Sequence, residues 1–232
     1  GSITSSVSAS TDAGFSIISY TGVGGTSNTL GHGLGVKPKM FIVKCRSHAG
    51  EYWGTWIDTD GDGTSNYRLS LNVTDAAYGN DPITFSNSTI TLPSSANTQW
   101  DGSGRTYIGY CFSEKKGYSK IGSYVGNDNA NGTFVYTGFA PAWVMIKRTN
   151  SVNDWIMLDR KRNPINPSDE RILANSSNAA STANTMVDFL SNGFKPRSTY
   201  GGINGASDNF VYMAFAESPF VNSAGAVPTN AR

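Results

Sequence analysis

A chain of 232 residues has room for one large domain or two small ones, and its charge already excludes several functions. Only 15% of the residues are charged and the net charge is +1, so nucleic acid and anionic membrane surfaces lack the basic patch they need. Gly (26 residues) with abundant Ser, Thr and Asn favours turns over helices, while 12% aromatic residues still supply a core.

Taken in chain order, residues 1–14 form a short leader without the basic-then-apolar layout of a signal peptide. Phe15–Tyr20 is short and β-rich and ends at Thr21-Gly22. Met40–Arg46 is a continuous apolar run followed by charge, the pattern of a strand covered on both faces. Trp53–Ile57, Tyr67–Leu71, Ile83–Phe85 and Tyr107–Phe112 follow, each bounded by Gly, Asp, Asn or Pro. Turn signals return about every 8 to 12 residues, the spacing of sandwiches and barrels. One stretch, Ala179–Leu190, could hold a turn of helix, with Ser181 or Thr182 as cap. No apolar run approaches the roughly 20 residues that span a bilayer, so a soluble protein without membrane insertion is expected.

The chain repeats itself. Phe15–Glu114 realigns with Tyr118–Glu217 at an offset of about 103 residues, and such a register held across a whole unit marks a tandem duplication. Ser19-Tyr20-Thr21-Gly22 matches Ser123-Tyr124-Val125-Gly126, and Met40–Lys44 matches Trp143–Lys147. Trp56 falls near the counterpart of Trp155, and Tyr107–Glu114 matches Phe210–Glu217. The expected fold is therefore all-β: two tandem, tightly packed β-sandwich-like repeats related by pseudo-twofold symmetry. Residues 15–116 and 117–220 are the repeats, and 221–232 form a C-terminal tail. The link Lys115-Lys116-Gly117 is too short for a flexible linker.

Duplication also sorts candidate residues, because a residue kept in both copies is better explained by the fold. Glu114 and Glu217 would tempt a paired-carboxylate glycosidase reading, but they occupy equivalent strand ends. Lys44 and Lys147, each followed by an arginine (Arg46, Arg148), read as side chains snorkelling from strand ends. Cys45 and Cys111 lie inside strand-like runs and read as buried thiols, although one disulfide is open to them. Gly31-His32-Gly33-Leu34-Gly35 is followed by a strand rather than a helix, so its glycines serve turns and not a phosphate. His48 sits in a polar loop. With two histidines in the chain, zinc chemistry is poorly supplied.

Asp58-Thr59-Asp60-Gly61-Asp62-Gly63 carries oxygen ligands at the first, third and fifth positions of an EF-type loop, with glycine at the sixth. Position twelve is Leu69, where that loop needs a bidentate Glu. An acidic hairpin turn is the plain reading of Asp58, Asp60 and Asp62, and a calcium site is the alternative. No other cofactor is expected. The remaining candidates are aromatic residues in Gly/Asn-rich segments: Tyr52, Trp53, Tyr78, Trp100 and Tyr200, with Asp101 and Asn204 among their polar neighbours. Flat rings that stack on C–H faces, mixed with short polar side chains that bond hydroxyls, suit sugar recognition. Strand-end core packing is the competing account of each ring.

At SYTG (19–22), GLGVKP (33–38), MFIVK (40–44), YIGYCFSE (107–114), SKIGSYVGN (119–127), GTFVYTGFAPAWVMIKRT (132–149), DFLSNGF (188–194) and YMAFAESPF (212–220), the sequence resembles a duplicated domain of bacteriophage tail-fibre and virion proteins. The resemblance covers nearly all of 15–220, and Asp58–Gly63 departs from it as a longer, more acidic insertion. It implies a non-enzymatic C-terminal module on the virion, with no catalytic residues. Its partners would be a host receptor, above all a cell-surface glycan, and other virion subunits, in a possible homotrimer. Head decoration or fibre-tip assembly is the second expectation, and glycan hydrolysis a distant third.

Overall fold

The computed structural model describes residues 1–93, 97–182 and 184–217, without the side chains of Asn66 and Asn80. The expected tail, 221–232, and the last residues of the second repeat lie outside the described residues. Strands dominate and every ladder is antiparallel. The chain divides into two compact units, Gly1–Glu114 and Lys115–Arg232.

The first unit comprises β1 (Ser5–Ser10), β2 (Phe15–Thr21), β3 (Thr29–Gly31), β4 (Met40–Cys45), β5 (Gly54–Ile57), β6 (Thr64–Ser70), β7 (Tyr78–Phe85), β8 (Thr89–Thr91), the one-turn helix α1 (Thr98–Asp101) and β9 (Thr106–Phe112). They form one sheet in the order β1-β2-β9-β4-β5-β6-β7-β8-β3. β6 pairs with β7 from Thr64 to Arg68, with a register shift between Ser65 and Tyr67, and with β5 at Leu69 and Ser70. Residues from both ends of this sheet, among them Ile18, Phe41, Trp56, Leu30, Phe85 and Ile90, share one core. The layering is sandwich-like.

The second unit comprises β10 (Ser119–Val125), β11 (Val135–Tyr136), β12 (Pro141–Arg148), β13 (Trp155–Asp159), β14 (Arg171–Leu173), β15 (Val187–Leu190), β16 (Gly193–Pro196), α2 (Gly201–Asn204) and β17 (Asn209–Ala216). Its strands are ordered β10-β17-β12-β13-β14 in one sheet and β11-β16-β15 in another. The same two orders run through the first unit as β2-β9-β4-β5-β6 and β3-β8-β7. Val144, Ile156, Phe189, Phe194 and Phe210 centre its core.

Several expectations are corrected by this register. Ala179–Leu190 holds no helix among its described residues; its end is β15, where Val187 and Phe189 alternate inward with period two. The leader contributes an edge strand, β1, and buries Ile3 in the core. Lys147 pairs with Trp155, and the Leu71 amide bonds the Trp53 carbonyl (3.0 Å) as the Ala174 amide bonds that of Trp155 (3.0 Å). Trp155 thus corresponds to Trp53 and not to Trp56. Arg46 donates its amide to Thr106 (2.7 Å) as Thr149 does to Asn209 (2.8 Å), so Arg46 corresponds to Thr149 and not to Arg148. Lys147 does not snorkel: it is fully buried and its ammonium bonds the Asn153 carbonyl at 2.7 Å.

Cys45 and Cys111 are free and buried in β4 and β9. Burial pushes the Cys111 thiol up to about 12, which leaves it inert as a nucleophile.

Candidate functional site

The predicted binding residues separate into those that hold the fold and those that face solvent. Asn97 caps α1 by accepting the Gln99 amide at 2.8 Å, and the helix turns Trp100 into the core, fully buried and edge-on to Trp56 at 5.5 Å. The Trp100 carbonyl accepts the Tyr20 hydroxyl at 2.6 Å. In the second unit the Ile203 carbonyl of α2 accepts the Tyr124 hydroxyl at 2.7 Å. Asp101 is also buried. Its Oδ1 accepts the Val23 and Gly24 amides (2.8 and 3.3 Å), and its Oδ2 accepts Asn28 Nδ2 (2.7 Å). Buried Asn204 does the same work, accepting the Asn127 amide at 3.0 Å and donating to Asn129 and Ser198 carbonyls at 2.8 and 2.9 Å.

Trp100, Asp101 and Asn204 are thus not available to a ligand. Each closes a loop around a one-turn helix, because a buried carboxylate or amide must fill its hydrogen-bonding capacity internally. Trp53 is half-buried and stacked on Tyr110 (6.4 Å between centroids, 15°), with its amide held by Asn72 Oδ1 at 2.9 Å. The Trp155 amide is held likewise by Asn175 Oδ1 at 2.7 Å. Tyr200 is half-buried against the second core, beneath the Arg171 guanidinium at 4.9 Å.

Tyr52 and Tyr78 remain. They are 36% and 39% exposed, the two most open of the predicted rings. The Tyr78 hydroxyl donates to the Asp75 carboxylate, which raises its pKa; burial, the charges of Asp75 and Tyr52 add to the rise, and Arg68 opposes it. Behind the Tyr78 ring stands Arg68, 4.9 Å from the centroid, its other contact being the Trp100 ring at 5.7 Å. Arg68 is fixed in turn by Asp81 (Nε to Oδ2, 3.2 Å) and Ser70 (Nη1 to Oγ, 2.9 Å). A core-anchored cation therefore holds an exposed ring in a set orientation, with a carboxylate at its rim.

Among the described residues, Asp58, Asp60 and Asp62 are the one group of three or more metal-ligating side chains whose ligand atoms all lie within 4.8 Å of one another. Asp58 is buried and already engaged: its carboxylate accepts the Gly61 and Gly63 amides (2.7 and 3.1 Å) and faces Lys39 Nζ at 3.3 Å. Lys37 Nζ donates to the Asp62 carbonyl at 3.1 Å. Asp60 is exposed, and the amide of Asp62 leads the hydrogen bonds that lower its pKa.

His48 is exposed beside Ser47, whereas His32 is buried. Its Nδ1 accepts the Leu34 amide at 3.2 Å, which leaves Nε2 to donate to the Ser86 carbonyl at 3.2 Å. Burial lowers its pKa, so the unfolded chain takes up a proton more readily than the folded one. The sign follows: stability is complete above about pH 6.5 and declines as pH falls from there towards the folded value. Melting temperatures recorded from pH 7.5 to 5 should drop below about pH 6.5, and the drop should be shallower in His32→Asn.

The structure adds features that the sequence did not single out. A depression of about 610 Å³ on the first unit is lined by Thr4, Ser6, Ser19, Thr21, Arg46 and Thr106, among others. In the second unit Phe134 and Tyr136 flank the inward Val135 and are 44% and 64% exposed. The signal for both was positional: Thr149 stands at the register position of Arg46, and Thr29 and Gly31, at the register positions of Phe134 and Tyr136, are small. No helix among the described residues is long and apolar enough to cross a membrane. Neither the curated proteins nor the solved structures contain a match to this chain. Residues 1–219 match the family model described as a domain of unknown function, DUF7483, and the chain belongs to that family.

Proposed function

We propose that the chain is a non-enzymatic binding module that recognises a host cell-surface glycan, as a C-terminal tail-fibre or virion surface component built from two copies of one small β unit. The observation that carries the binding reading is the exposed pair Tyr52 and Tyr78, with Asp75 at its rim and Arg68 behind it. Sugars need an apolar face for C–H groups and nearby acceptors for hydroxyls, and this pair supplies both. The virion setting rests on the sequence resemblance. Weak single-site affinity would be offset by multivalency, for which a homotrimer is the natural arrangement.

The non-enzymatic part is supported by the state of the two repeated strand-end carboxylates. Glu217 is ion-paired with Lys161, and that bond lowers its pKa, the reverse of what a general acid requires. Glu114 also has interactions of its own. Assembly against other virion subunits is the second reading of the same exposed rings.

Alanine at both Tyr52 and Tyr78 is expected to reduce adsorption to host cells by tenfold or more, with the melting temperature unchanged; each ring contributes about 1 kcal/mol. Unchanged adsorption by this variant sinks the reading, and a variant that adsorbs but fails to assemble favours the assembly role. Calcium is expected to leave the melting temperature unaltered, since backbone amides and Lys39 already satisfy Asp58. A rise in calcium that EDTA reverses would place the ion among Asp58, Asp60 and Asp62.

A further inference from the structure

The two units contain a small sheet of the same strand order whose inner sides agree and whose outer sides do not. Leu30, Ile90 and Phe85 turn into the first core, and Val135, Phe194 and Phe189 take the same register positions in the second. Alternate residues along a strand face the other way. In the first unit those residues are Thr29, Gly31, Thr84 and Thr91. In the second they are Phe134, Tyr136, Asp188 and Lys195. Threonine and glycine therefore suffice for the fold at positions where the second unit exposes 44% of a phenylalanine and 64% of a tyrosine.

We propose that Phe134 and Tyr136 form a stacking platform for an uncharged, hydroxyl-rich saccharide, a site in the second unit additional to the Tyr52 and Tyr78 pair. The inference rests on the glycan-binding reading above. Phe134 and Tyr136 are two residues apart, and in extended chain that spacing sets their Cα atoms about 7 Å apart, within the span of neighbouring units of one sugar chain. Tyr136 pairs with Gly193 across the ladder, and Gly138 lies beside its ring, so no side chain from either covers it. Asp188, held by Arg197 at 3.3 Å, offers acceptors, and Lys195 offers a donor, on the outward side. A protein partner fits less well. Exposed to 44% and 64%, the two rings present only about 200 Å², and with the exposed Val125 beside Thr133 they still fall short of the apolar half or so of the roughly 800 Å² that a stable interface buries per partner.

The test is affinity electrophoresis of the whole chain in gels containing a soluble glucan, mannan or galactan. The double variant Phe134→Thr/Tyr136→Thr uses a residue the other copy tolerates on this face, so circular dichroism and melting should match the wild type. Wild-type protein should be retarded in at least one gel, and the double variant should bind that polysaccharide about tenfold more weakly. Retardation of the double variant equal to wild type, with loss only in Tyr52→Ala/Tyr78→Ala, overturns this site and leaves the glycan reading standing. Free migration of the wild type in every gel overturns that reading together with the site. Sedimentation showing a dimer that the double variant abolishes also overturns it, by assigning the rings to a second copy.

Discussion

Replacing Trp100 by alanine lowers the unfolding free energy of the first unit by about 3–5 kcal/mol. The indole is fully buried, packs edge-on against Trp56 and lies under the Arg68 guanidinium, so its removal leaves a large cavity among rigid neighbours. Urea denaturation followed by circular dichroism measures the loss. The same variant, studied below its unfolding midpoint, should bind ligand like the wild type, because Trp100 presents no surface to a ligand. A variant of unchanged stability and lost binding would return Trp100 to the binding surface and discard the buried-core account.

The second large effect is an asymmetry between Arg68 and Arg171, which occupy equivalent places in β6 and β14. Arg68 meets Asp81 and Ser70 through Nε and Nη1. Among the described residues the same two nitrogens of Arg171 are buried without a hydrogen-bond partner, although its guanidinium also covers a tyrosine, Tyr200, at 4.9 Å. Leu173 stands in the place of Ser70. Arg68→Met should cost about 3–5 kcal/mol, because it leaves Asp81 mostly buried and deprived of its cation. Arg171→Met should be neutral or stabilise by about 1 kcal/mol, because the thioether keeps the stem's packing and removes two desolvated donors. Equal losses in the two variants would refute the assignment. Urea midpoints of the two single variants decide it.

The strands were legible because their apolar runs are long and bounded by turn residues: Met40–Cys45 and Thr106–Phe112 stand within one residue of their expected limits. Val187–Leu190 was ambiguous for a physical reason, since Met186, Val187, Phe189 and Leu190 satisfy a helical and a strand period alike. Only pairing with Gly193–Pro196 selects the second. The helices α1 and α2 are single turns, too short to carry a periodic signal. Trp100 therefore looked like a loop aromatic among polar neighbours. Asp101 and Asn204 escaped the repeat comparison because it weighed identities, whereas the two positions correspond and differ only in carboxylate against amide. By offset alone Trp53 and Trp56 compete as the counterpart of Trp155, and only ladder register selects Trp53. The exposure of Phe134 and Tyr136 depends on which side of a short strand faces the core, which a two-residue strand does not announce.

Both cysteines, Cys45 and Cys111, belong to the first unit, and the second has none. Their burial makes thiol modification contingent on opening of β4 and β9, so the rate of labelling reports the opening free energy of that unit alone. Two units that share strand orders ordinarily melt into overlapping signals. Here the distribution of sulfur provides an intrinsic clock for one of them, and its difference from the overall circular dichroism transition isolates the other.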